Sequence, residues 1–230
     1  MSETKSSLAS SNVHIFDVDL TVVRKTSAEY FLRMALKEKY IRISQISGLF
    51  IDLIKYKTAF LNVDFIENTV KKLSGLKEED LNKLSKICFE KKIKPNIYKG
   101  AASLINELKQ KGEKVIFATS SFDFIIKPLE NFFNIEGSLA TKLEYKDGIT
   151  TGNLDGYSFF GNKKKQAALE WMEKNNVEKA DVYFYSDSYT DIPLLEYCNN
   201  PVAVNPDRIL KKKAAQCGWK IMNFKEVLGI

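Results

Sequence analysis

Four groups of residues in this 230-residue chain have the types and spacing to do chemistry. Asp17-Val18-Asp19-Leu20-Thr21 follows the apolar run Val13-His14-Ile15-Phe16. Thr119-Ser120-Ser121 follows Val115-Ile116-Phe117-Ala118, and Ser186-Asp187-Ser188, with Asp191 shortly after, follows Val182-Tyr183-Phe184-Tyr185. Lys163-Lys164-Lys165 opens a helical stretch. In an Asp-x-Asp placed just after a strand, the first carboxylate can face a bound metal and a phosphorus atom. The second can reach the other side of the phosphate. The first then suits a nucleophile and the second a proton donor to the leaving group. Four carboxylates on one sheet edge repel one another, and burying them unpaired is costly. A divalent cation with oxygen ligands relieves that repulsion, and Mg²⁺ suits a site with few carboxylates and room for phosphate and water. A lysine would help.

Each piece alone also has a plain structural use. Paired Asp residues cap helices, Ser and Thr are common where strands turn into helices, and a lysine run is usually a solvated face. Their shared position is what carries weight. In open α/β sheets, ligands bind outside the carboxyl ends of the strands, and three of the four groups stand there.

The elements that must position them follow from the hydrophobic periodicity. Val13–Phe16 reads as a buried strand. From Thr26 the period changes to helical, with Thr26 and Glu29 spaced as a capping box and Tyr30, Phe31, Met34 and Ala35 on one face. Asp64 and Glu67 repeat that box, and Leu81, Leu84, Ile87 and Cys88 form another stripe. The interval 23–95 is therefore all-helical, with four helices. Beyond Pro95 strands and helices alternate. Helices are predicted over 100–111, 123–134, 165–175, 191–198 and 208–217, and strands over 115–118, 182–185 and 202–204. Asp147-Gly148 marks a hairpin. This alternation argues for a parallel sheet covered on both faces. The fold class is α/β, a Rossmann-like core with an all-helical segment inserted after the first strand. The domains are a mobile tail over 1–12, a core of 13–22 plus 96–230, and a helical cap over 23–95.

Composition removes several function classes. The chain has one His and three Cys. A His-rich metal site is excluded, and a Ser-His-Asp or Cys-His mechanism would need His14, which lies inside the first strand. Cys88, Cys198 and Cys217 form no C-x-x-C pair and read as small core residues, so a zinc site or disulfide framework is not indicated. Lone thiols fit a reducing cytosol, and the location read from them is cytoplasmic. The longest apolar stretch, Ile46–Ile54, is too short to span a bilayer, and the Ser-rich start lacks the apolar core of a secretory signal.

The formal net charge is +6. It is concentrated in residues 23–95, where 16 Lys+Arg face 9 acids. That excess is either a solvated helical surface or a field that draws in anions or an anionic membrane face. Nucleic acid lacks a supporting signature.

The motifs and their order resemble the haloacid dehalogenase-like superfamily, in its phosphoserine-phosphatase-like branch. Residues 14–21 look like its first motif, Phe117–Ser120 its second, Lys165 its third-motif lysine, and Tyr185–Glu196 its fourth. The resemblance implies Mg²⁺-dependent transfer of a phosphoryl group to Asp17, with Asp19 protonating the leaving oxygen and then activating water. It implies that Asp17, the Asp19 carbonyl and Asp187 hold Mg²⁺, with Asp191 and Ser188 supporting them from behind. Thr21, Thr119, Ser120 and Lys165 would hold the phosphate. Lys164 is the alternative lysine. Lys165 is preferred because Ala168, Leu169 and Met172 then take the core face of its helix. Where phosphoserine phosphatases carry a cap-side Glu nine residues after the nucleophile, this chain has Thr26, which argues against phosphoserine itself. The substrate class is a small or amphiphilic phosphomonoester, phosphoserine-like or lipid-related. The other readings are a phospho-Asp signalling protein and a lipid-surface-binding protein with little turnover.

Overall fold

The computed structural model describes residues 12–38 and 70–229. Val13–Phe16 forms strand β1, buried along its whole length. Four consecutive apolar or aromatic side chains suit a central strand with both faces covered. β1 pairs in parallel with β2 (Lys114–Phe122) on one side and with β6 (Val182–Ser186) on the other, so that Phe16 stands beside Phe117 and Tyr185. β3 (Ser138–Thr141), β7 (Asn200–Val204) and β8 (Lys220–Met222) extend the sheet in the order β3-β2-β1-β6-β7-β8. Every pairing in it is parallel. The α/β parallel core read from the sequence is therefore present, and the chemistry-bearing strand ends share one edge.

Side chains alternate across the sheet with a period of two. Phe16, Phe117 and Tyr185 join one apolar cluster, and Ile15, Ile116 and Phe184 join the other. Phe16, Phe117 and Phe184 are fully buried; each contributes on the order of 2 kcal/mol relative to an exposed ring. Helices α1 (Ser27–Lys37), α2 (Glu78–Cys88), α3 (Lys99–Gln110) and α4 (Asp123–Phe133) pack into the first cluster. Helices α5 (Asn162–Lys174), α6 (Ile192–Leu195) and α7 (Arg208–Cys217) cover the second. The inserted helical segment is tied to α4. Phe31 meets Phe124 edge-on at 5.2 Å, and the Ser85 hydroxyl donates to the Phe124 carbonyl at 2.5 Å. A hairpin of β4 (Leu143–Lys146) and β5 (Ile149–Leu154) turns at Asp147 and Gly148, both at positive φ as the dipeptide predicts.

Several elements differ from the sequence reading. β2 runs through Phe122, so Thr119-Ser120-Ser121 lies within the strand rather than after it. The helix predicted near 191–198 is a single 3-10 turn, Tyr189–Asp191, followed by the short α6. The edge strands β3 and β8 were not anticipated. Thr26 precedes α1 without a side-chain capping bond. Cys88 and Cys198 are buried, but Cys217 is exposed at the last turn of α7, because the stripe that buries this helix runs through Leu210 and Ala214. The readings on residues 1–11, on Ile46–Ile54 and on the Asp64–Glu67 box lie outside the described residues. No helix among the described residues is long and apolar enough to cross a membrane.

Candidate active site

The carboxyl ends of β1 and β6, the start of α5 and the loops beside them enclose a cavity of about 530 Å³. Asp17, Asp19, Lys164, Asp187 and Asp191 all border it. Asp17 is placed by the end of β1, where its N–H still donates to the Tyr185 carbonyl at 2.8 Å. The chain then turns tightly, with the Val22 and Val23 N–H groups donating to the Val18 carbonyl, and this brings Asp19 back to the same edge. The Ser27 N–H, in the first turn of α1, donates to Asp19 Oδ1 at 2.8 Å. The positive end of the helix thus faces that carboxylate. Ser27 is itself anchored to β2, its hydroxyl donating to Ser121 Oγ at 2.8 Å.

Lys164 lies at the centre. Its ammonium donates to Asp17 Oδ1 at 2.8 Å and to Asp191 Oδ2 at 2.7 Å, with all three side chains buried. Burial opposes its charge, but Asp17 and Asp191 outweigh that and hold its pKa well above the ordinary lysine value. Asp191 Oδ2 also accepts from the Ser186 hydroxyl at 2.7 Å. The preference for Lys165 is therefore corrected. Gly161, at positive φ, precedes α5, and the buried stripe of that helix is Lys164, Ala167, Ala168 and Met172. Leu169 is only half-buried, which sets the helical phase one residue earlier than expected. Lys165 points elsewhere, its ammonium 5.4 Å from the centre of the Tyr197 ring.

Thr21 is fully buried and does not border the cavity; its hydroxyl donates to Asp187 Oδ1 at 3.3 Å, so it steadies that carboxylate from behind. Thr119 is buried, its Oγ1 accepting the Ser121 N–H at 3.1 Å, and Ser120 borders the cavity. Ser188 borders the cavity and shares a hydrogen bond with the Thr190 hydroxyl at 2.8 Å.

The electrostatics call for a cation. Burial pushes the Asp17 carboxyl up to about 7, opposed by Lys164 and reinforced by Asp191 and Asp19. Burial pushes Asp19 up to about 6, opposed by Ser27. Asp187 is raised well above the carboxylate range by burial and by Asp17 and Asp191. One ammonium does not balance this set. Asp191 Oδ1 is also buried without a hydrogen-bond partner, and such an orphaned acceptor commonly marks a bound ion or water. Among the described residues no three acidic, imidazole or thiol groups form a cage that could hold a metal ion by itself. A hard cation completed by a backbone carbonyl, water and substrate oxygen needs no such cage. Asp17, Asp187 and the Asp19 carbonyl are hard oxygen donors of the kind Mg²⁺ takes, and would hold it if bound.

The sequence pattern of haloacid dehalogenase-like hydrolases matches residues 15–196. The chain belongs to that family. A histidinol-phosphatase of Neisseria meningitidis serogroup C (strain 8013) is 30% identical over 223 residues, which cover 93% of this chain and 99% of that protein. Phosphoserine phosphatase SerB1 of Mycobacterium tuberculosis (strain ATCC 25618 / H37Rv) is 27% identical over 215 residues, covering 91% and 70%. A solved phosphoserine phosphatase with bound substrate superposes with a TM-score of 0.67 at 21% identity, covering 92% of each chain, and shares the fold. Membership of this family, with phosphatases as its relatives, makes the chain a phosphomonoester hydrolase.

The cavity also brings in residues whose sequence context gave them no role in the site. Lys25, Glu29, Phe160, Tyr189 and Arg208 line it. Glu29 is buried and pairs with Arg33 at 2.7 Å. Asp207 joins two elements, its side chain accepting the Tyr189 N–H at 2.7 Å and the Leu210 N–H at 2.8 Å. Asn205-Pro206-Asp207 ahead of a helical run was a readable cap signal for Asp207. Phe160 comes from a loop, Tyr189 from the 3-10 turn and Arg208 from the start of α7, and none of the three carried a local signal for a place in the site.

Proposed function

We propose that this protein is a Mg²⁺-dependent phosphomonoester phosphatase that works through an aspartyl-phosphate on Asp17. The observation that carries the reading is the buried Asp17–Lys164–Asp191 bridge at the floor of a carboxylate-lined cavity. Lys164 holds Asp17 Oδ1, which leaves the other oxygen to attack phosphorus. Asp19, raised by burial to about 6, can carry a proton to the leaving oxygen more readily than an ordinary aspartate, and then takes one from the attacking water. Lys164 and Ser120 line the floor where the phosphoryl oxygens would rest. Mg²⁺ held by Asp17, Asp187 and the Asp19 carbonyl would neutralise charge on the transferring group. Asp191 and Ser188 would support these residues from behind. The helical segment within 23–95 would act as the cap that selects substrates.

The substrate is a small phosphomonoester. The relatives named for histidinol phosphate and phosphoserine act on phosphate esters of small amino alcohols, which suits a cavity of about 530 Å³. The test is phosphate release from p-nitrophenyl phosphate and from a panel of phosphorylated metabolites. Release that needs Mg²⁺ and vanishes in Asp17→Asn supports the reading; full activity in Asp17→Asn refutes it.

A further inference from the structure

The tight turn between Asp19 and Thr21 contains an anomaly. Leu20 has φ of 66°, the left-handed region in which a bulky side chain is a genuine outlier and where Gly or Asn is at ease. Its side chain is not hidden to compensate: Leu20 is 40% exposed. The backbone around it is pinned, the Leu20 N–H donating to the Val23 carbonyl at 2.7 Å and the Leu20 carbonyl accepting from Asn205 Nδ2 at 3.5 Å. The residue thus combines backbone strain with apolar exposure, directly beside the carboxylates that face the phosphate. Strain of this kind collects where a side chain must be aimed at a ligand.

Ile209 stands in the first turn of α7, whose start is held by the Asp207 cap, and is 56% exposed. Leu20 and Ile209 border the same cavity as Asp17 and Asp19, together with the Phe160 ring. The cavity thus offers exposed alkyl groups beside its carboxylates and ammonium, and a phosphate ester with an apolar moiety can use both.

We infer that Leu20 is a specificity-determining residue which, with Ile209, grips the leaving group, so that the preferred phosphomonoesters are those whose alcohol carries an apolar or aromatic moiety. The inference rests on the phosphatase reading above and goes beyond it by naming the substrate class. The phosphoryl group sits over Asp17, and the alcohol it leaves behind lies against Leu20 and Ile209. A purely polar alcohol leaves both groups unsatisfied by contact.

The test compares benzyl phosphate with ethyl phosphate at saturating Mg²⁺, because the two alcohols differ in apolar bulk far more than in leaving ability. Wild-type protein should favour the benzyl ester in kcat/KM. Leu20→Asn suits the left-handed backbone and removes the alkyl group. It should lower the benzyl-to-ethyl ratio by roughly tenfold through KM, as the loss of an apolar contact predicts. Ile209→Ser should shift the ratio in the same direction, and Leu20→Met should preserve it. Thermal melting of each variant separates this from a packing role. A ratio that stays fixed in Leu20→Asn and Ile209→Ser overturns the inference while leaving the phosphatase reading intact, and a lower Tm alongside it marks Leu20 as structural. Absence of phosphate release from both esters and from p-nitrophenyl phosphate in the wild type refutes the phosphatase reading and the inference together.

Discussion

The Lys164 ammonium lies 2.8 Å from Asp17 Oδ1 and is the buried cation that faces the first carboxylate of the Asp-x-Asp turn. It joins the end of β1 to the start of α5, two elements far apart in sequence, and reaches Asp191 at 2.7 Å beyond them. Three ionic groups in one bridge make this both the electrostatic centre of the site and a structural tie.

Lys164→Met is expected to lower kcat by at least about a hundredfold, the order of effect seen when a charge-stabilising donor is removed. It should also lower Tm, because Asp17 and Asp191 lose their buried partner, a change that typically costs about 3–5 kcal/mol. Lys165→Met, which only removes an ammonium resting over Tyr197, should change kcat by less than about threefold. Steady-state kinetics and thermal melting of the two variants decide between the lysines.

The contrast between these neighbours shows what could be read from sequence. The Asp17, Thr119 and Asp187 segments were legible because each follows a short, unbroken apolar run, the mark of a buried central strand. The lysine was not, because three in a row leave the helical phase open. The phase is set by the Gly161 conformation and by burial of Ala167 and Ala168, which are tertiary facts. Thr21 and Thr119 sit at motif positions, yet whether they face the cavity or support it depends on the backbone path beyond the predicted strand ends, a turn at Thr21 and a register shift after Thr119. β3 and β8 are short edge strands of mixed burial and left no periodic signal. Phe160 and Ile209, which also line the cavity, have no sequence signature at all.

Asp191→Asn keeps the shape of the group but removes its charge. It is predicted to raise the Mg²⁺ concentration needed for half-maximal activity by about ten- to a hundredfold, the usual cost of disturbing a residue that orients metal ligands. A Mg²⁺ titration of phosphate release measures this. An unchanged titration would place Asp191 outside the metal's surroundings.

Removal of the divalent cation should destabilise the fold as well as stop turnover. Asp17, Asp19 and Asp187 are all raised by burial when no cation is present, so binding relieves a cost. Mg²⁺ at a hundred times its Kd is expected to stabilise the protein by about 2.7 kcal/mol. A chelator should reverse this in a melting experiment, and no shift with Mg²⁺ at any concentration contradicts it.

His14 gives a pH dependence separate from the catalytic residues. It is buried in β1, stacked on Tyr183 at 4.6 Å, with Nδ1 2.9 Å from the Tyr185 hydroxyl and Nε2 unpartnered. Burial lowers its pKa to about 4, while Glu113 opposes this. The unfolded chain takes up the proton near 6.5 and the folded one only near 4. The unfolded state therefore binds more protons in that window, and stability falls as pH drops through it. His14 alone should account for a loss of about 3 kcal/mol between pH 7 and pH 4. In denaturant melts across this range the wild type should lose that much more stability than His14→Phe, with the steeper fall on the acid side.

The central claim is that Asp17 carries the phosphoryl group, and the most direct test is to trap it there. Asp19→Asn should slow the second half of the reaction, since the residue that activates water is gone. p-Nitrophenolate needs little proton donation to leave, so the first half should still proceed. After rapid mixing with radiolabelled p-nitrophenyl phosphate and Mg²⁺, acid quenching and peptide mapping should find a hydroxylamine-labile phosphoryl group on the peptide containing Asp17, formed within the first turnover. Phosphate release at the full rate with no label on Asp17 at any time would contradict the account.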